Sequence, residues 1–131
     1  MFTKIIKIVV CINLIFAFTI GCSEVKEYVI VDNAKVLNNY EGQKISIQGT
    51  ISALPYQHPV NIKKTHPVIT YVNTGSYQIV VYVKQDVVCK HNQNVKINGT
   101  VIKIQANVQD STQKEFVTEY QILADKVECL Q

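Results

Sequence analysis

His58, Lys63, Lys64 and His66 fall close together in one stretch of this 131-residue chain. Imidazole nitrogens ligate metals and exchange protons near neutral pH, and lysine ammonium groups attract anions, so the cluster has the chemistry of a metal or anion site. No carboxylate or cysteine accompanies it between Pro55 and Pro67, and that composition suits a solvated, mildly basic loop better than a metal cage. No metal site and no cofactor is expected. Cys89 and His91 form a second pair of reactive types, but near neighbours in an extended or turning chain rarely aim both groups at one point. No G-x-S-x-G and no paired metal-ligand motif is present, so the chain reads as non-enzymatic. Tyr71 and Tyr82 are the remaining candidates for contact, because their in-strand neighbours mix polar and apolar types and point them outward. Tyrosines are also good strand residues that cover half-buried faces.

The elements that must position these residues are strands. In Tyr40 to Leu54, Ile45, Ile47, Ile51 and Ala53 recur at every second position with Gly49 between them, the period of a strand with one apolar face. Asn94 to Ile102 repeats the pattern with Val95, Ile97, Gly99 and Val101. A glycine inside a strand marks a bulge or a tight bend. Between these two stretches, Val68 to Val72 and Tyr77 to Val83 alternate around Asn73-Thr74-Gly75-Ser76, a hairpin signal. All three prolines lie in Pro55 to Pro67, which stiffens that loop. Asp32 stands where a helix N-cap would, ahead of Ala34, Val36 and Leu37, so one or two helical turns are expected there. Gln85 to Asn94 is expected to hold a helical turn. Asn94 to Val108, with a bulge near Gly99-Thr100, Phe116 to Leu123 and a closing segment Val127 to Leu130 complete the chain.

Lys4, Lys7 and the apolar run Ile8 to Ile20 make a different beginning. The run falls short of the about 20 residues of a membrane span and suits the core of a secretory signal. It ends in Thr19-Ile20-Gly21-Cys22, which resembles the lipobox of bacterial lipoproteins. That resemblance implies a cleaved signal peptide over 1–21, lipid on Cys22 and a short tether over 22–30. It also implies anchorage to a lipid bilayer in the cell envelope on the periplasmic side, the outer membrane being favoured by Ser23. With Cys11 removed and Cys22 lipidated, Cys89 and Cys129 remain as one candidate disulfide, two buried free thiols being the alternative.

Val31 to Gly42, leading into the first glycine-bent strand, resembles the entry to OB-fold domains of bacterial envelope proteins. The resemblance implies an all-β domain over 31–131, a small five-stranded Greek-key (OB-like) barrel with a short N-terminal helix. It also implies that ligands meet strands two and three and their loops, which brings in Tyr71 and Tyr82 with the His58 to His66 loop.

Every basic residue among the 13 Lys+Arg is lysine. Two of them precede Cys22, so the rest of the chain carries 11 lysines against 10 acids, a formal charge of +1. Without arginine the chain lacks the bidentate donor that phosphate and guanine recognition favours, and nucleic acid is an unfavoured partner. The expectation for function is a membrane-anchored lipoprotein whose barrel is a non-catalytic binding module for an envelope protein or glycan. The alternative is a periplasmic carrier or sensor for an oligosaccharide, a metal or haem, with single-stranded nucleic acid behind it.

Overall fold

The computed structural model describes residues 27–110 and 113–131, which contain six strands and one short helix joined by loops. The strands are β1 (Val29–Val31), β2 (Lys44–Ile51), β3 (Val68–Thr74), β4 (Tyr77–Val83), β5 (Asn94–Asp110) and β6 (Gln113–Cys129). They form one sheet in the order β1-β2-β3-β4-β6-β5, and β2 also pairs with β5. The β1–β2 and β4–β6 pairs are parallel and the others antiparallel.

This corrects the expected five-stranded Greek-key, OB-like barrel. The fold is a six-stranded mixed sheet with one short helix. Val29–Val31 joins it as an edge strand, matching the brief edge strand that Tyr28 to Val31 suggests in the sequence, and runs parallel to Ile45–Ile47 of β2. Two seams are short: β2 meets β3 only through Thr50↔Asn73 and Ile51↔Val72, and β4 meets β6 only through Val81↔Ile122 and Tyr82↔Leu123. The longest ladder joins β5 to β6, each 17 residues long, so the segment Val127 to Leu130 largely continues β6.

The helix spans Ala34–Tyr40 and is a 3-10 helix. Its cap is Asn33 and not Asp32: the Asn33 side chain accepts a hydrogen bond from the Lys35 amide at 2.9 Å, satisfying an amide with no partner inside the helix. Leu37 is the residue it buries. No helix forms between Gln85 and Asn94, and this segment is irregular.

One apolar cluster gathers Ile45 and Ile47 of β2, Val72 of β3, Ile79, Val81 and Val83 of β4, Val95, Ile97 and Val101 of β5, and Ile122 of β6, with Leu37 against them. The sheet curls to bring these alternating positions together, and the two mid-strand glycines permit the close approach. A Cβ on Gly49 would strike the Asn73 carbonyl oxygen and meet Val72 Cγ1 at 2.7 Å; one on Gly99 would meet the Leu123 carbonyl oxygen at 2.5 Å and Ile122 Cγ2 at 2.8 Å. The β5–β6 register shifts between Asn98 and Gly99, leaving Asp125 as the extra residue of a bulge. Asp125 uses that position to pair with Lys44 Nζ and to accept from the Tyr28 hydroxyl, both at 2.9 Å.

Cys89 and Cys129 are bonded, with their Cα atoms 5.5 Å apart. The bond ties the irregular segment between β4 and β5 to the end of β6. Gln93 Nε2 reinforces it by donating to the Leu130 carbonyl, and the Leu130 amide donates to that of Asn94.

Candidate functional site

The loop between β2 and β3, residues 52–67, does not stand off in solvent. It lies along β4 and β6 on the side opposite the apolar cluster, fastened by polar side chains. His58 Nδ1 is 2.6 Å from Glu119 Oε1 and its Nε2 is 3.0 Å from Gln78 Oε1, while its ring stacks on Tyr71 at 5.9 Å between centroids. The Gln78 amide is fixed in orientation by the main chain: its oxygen accepts from the Tyr56 amide at 2.6 Å and its nitrogen donates to the Leu54 carbonyl at 2.9 Å. Both His58 nitrogens therefore face oxygen acceptors.

Further along the loop, Gln121 Nε2 donates to the Pro59 carbonyl at 2.6 Å, and Tyr82 donates its hydroxyl proton to Gln121 Oε1 at 2.5 Å while accepting from the Asn61 amide at 3.1 Å. His66 Nε2–H donates to the Ala124 carbonyl at 2.9 Å, and its Nδ1 is 2.8 Å from the Thr65 hydroxyl.

These placements settle what the candidate residues touch. His66, 6% exposed, is buried 58 positions in sequence from its β6 partner. Tyr82 was expected to point outward; it is fully buried, because the loop covers the second face of β4. Burial pushes its phenol above the ordinary tyrosine range, with the Glu119 and Tyr71 charges adding to the rise and the Asn61 amide opposing it. Lys64 is exposed and Lys63 half-buried. His58 and Tyr71 are brought together, whereas His58 and His66 fasten different points of the loop. Among the described residues no group of three or more His, Cys, Asp or Glu is placed to hold a metal ion.

The residues that sequence reasoning missed are Gln78, Glu119 and Gln121. Gln78 and Gln121 stand beside the apolar Ile79 and Ile122, and a polar side chain interrupting such a strand is the signal that would have found them, whereas Glu119, between Thr118 and Tyr120, carries no such signal. Glu119 and Gln78 sit on opposite sides of an opening. Parallel pairing of β4 with β6 holds at Val81↔Ile122 and Tyr82↔Leu123 and stops there, so Tyr77–Ile79 and Thr118–Tyr120 diverge as the walls of a cleft of about 580 Å³. Ala34, Lys35, Leu37 and Asn38 of the 3-10 helix complete the lining, and His58 bridges the two walls by its contacts to Gln78 and Glu119. Glu119 Oε1 takes His58 and, at 3.4 Å, Gln121 Nε2. Tyr77, 43% exposed, supplies an aromatic rim.

No family model matches the chain, and no curated protein matches it in sequence. Among solved structures it is similar to a protein of Leishmania major Friedlin described as an aspartyl-tRNA synthetase, with a TM-score of 0.50 and 13% identity over 82% of this chain. The likeness covers 22% of that longer protein and is one of fold. The resemblance to OB-fold envelope lipoproteins is corrected by the six-stranded mixed sheet. Residues 1–21 and Cys22, which carried the lipobox reading, lie outside the described residues. Among the described residues no helix is long and apolar enough to cross a membrane. The function drawn from that resemblance, a membrane-anchored lipoprotein acting through an OB-like barrel as a binding module or carrier, is withdrawn with it.

Proposed function

We propose that this chain is a non-catalytic recognition domain of an oxidising, extracytoplasmic compartment, and that it takes its partner in the cleft where β4 and β6 part. The cleft carries the reading. It lies in the size range of sites that enclose a ligand, about 300–1,000 Å³, and joins an aromatic rim to a few fixed polar groups. Its polar groups are held before any ligand arrives, since His58, Gln78 and Glu119 are locked by mutual contacts.

The chemistry around His58 supports recognition over catalysis. Both ring nitrogens are engaged by protein oxygens, and neither is left to move a proton on a substrate. The Cys89–Cys129 bond supports an oxidising compartment, because such bonds persist outside the reducing cytosol. The absence of arginine still weighs against nucleic acid.

Amide shift mapping on the full-length 15N-labelled protein tests this reading, with a panel of neutral oligosaccharides and linear peptides as probes. Saturable shifts confined to Lys35, Tyr77–Ile79 and Thr118–Tyr120 are expected for one probe class. Shifts only at other positions, or none for any probe, would overturn it.

A further inference from the structure

The two walls of the cleft are strand edges. On its other side β4 is paired with β3 at every residue from Tyr77 to Val83, and β6 is paired with β5 along the same stretch that lines the cleft. Facing each other, the two strands are paired only at Val81↔Ile122 and Tyr82↔Leu123. From Tyr77 to Ile79 and from Thr118 to Tyr120 their outward amides and carbonyls therefore meet the cleft and not a neighbouring strand. Backbone polar groups need partners, and unpaired ones are costly wherever water is excluded.

On this basis, and resting on the reading of the cleft as the binding site, we propose that its occupant is an extended peptide segment that docks by strand addition between β4 and β6. Outward donors and acceptors that recur at every second residue of a strand, about 6.6 Å apart at a rise of about 3.3 Å per residue, are matched by another backbone. The hydroxyls of a sugar have no such repeat. Three residues on each wall fit a segment of three to four residues, about 10 Å long. The 3-10 helix closes one side of the slot and the His58 bridge spans the other, so the peptide is threaded along the strands. Glu119 is matched to His58, whereas Lys35 is exposed on the lining, so an acidic side chain or a carboxyl terminus is favoured at the helix end. The edges face inward across a slot, and so they are not open templates for sheet-to-sheet association.

The test begins by panning a displayed library of linear heptapeptides on the full-length protein. The selected peptide is then synthesised in its parent form and with alternate amides N-methylated. The parent is expected to shift the amides of Tyr77–Ile79 and Thr118–Tyr120, and N-methylation in one of the two alternate registers is expected to weaken binding tenfold or more. Removing donors from the ligand leaves the protein's own folding untouched. Unchanged affinity in both methylated registers, or no selected peptide that maps to the cleft, overturns strand addition. If maltotriose or another oligosaccharide shifts the same amides where peptides do not, the cleft remains the binding site and only its occupant is wrong. If nothing shifts them, both readings fail.

Discussion

Removing the His58 imidazole deprives the Glu119 carboxylate and the Gln78 carbonyl of the partner they share. His58→Ala is expected to destabilise the fold by about 1–3 kcal/mol, the usual cost of stranding partly buried polar groups. Thermal unfolding measures it, and an unchanged Tm would show that the bridge holds nothing. Tyr82→Phe keeps the ring and removes the hydroxyl that joins Gln121 to Asn61, so a loss of about 1 kcal/mol is expected in urea unfolding. These residues show what the sequence could express. The residue types at His58, His66 and Tyr82 announced hydrogen-bonding capacity, but their partners lie 61, 58 and 39 positions away in sequence. Local pattern does not encode such distances, so it could not show that these polar groups fasten the loop to β4 and β6.

Among the elements, β2 and β5 were legible because alternation and a mid-strand glycine are local properties, and the close approach at Gly99 gives them their physical reason. Gly99→Ala would force a Cβ against the Leu123 carbonyl and Ile122. Overpacking of this kind costs about 1–3 kcal/mol. For a domain near one hundred residues that lowers Tm by roughly 4–8 °C per kcal/mol, which calorimetry checks. The 3-10 helix was foreseen in place but not in type or cap. The parallel β1 and β4–β6 pairs were not legible, since direction and neighbour are decided by the whole sheet. The disulfide closes a loop over a sequence separation of 40, worth about 4 kcal/mol in the chain-entropy model. Paired Cys89→Ser and Cys129→Ser substitution is expected to lower Tm by more than about 10 °C; a Tm within a few degrees of the parent would show that the bond adds little.

At the scale of the molecule, alkaline pH should weaken the fold in a defined window. Burial raises the phenols of Tyr82 and Tyr28 above their ordinary value, and Asp125 adds to the rise at Tyr28. In the unfolded chain tyrosine ionises near pH 10. The unfolded state therefore loses these protons first: stability is intact below about pH 10 and falls as pH rises toward the folded-state values. Urea midpoints should be flat with respect to these groups from pH 7 to 9 and decline above pH 10, less steeply in Tyr82→Phe. The molecule as a whole is a curled mixed sheet in which a long loop clamps two strands that part, and the parting is the feature on which the proposed recognition depends. Residue-resolved hydrogen exchange on the free full-length protein tests it most directly. The account predicts slow exchange through the β2–β5 ladder and at Val81, Tyr82, Ile122 and Leu123, with rapid exchange at alternate amides of Tyr77–Ile79 and Thr118–Tyr120. Uniform protection of those two stretches would mean that β4 and β6 are paired to their ends, and there would be no cleft to bind anything.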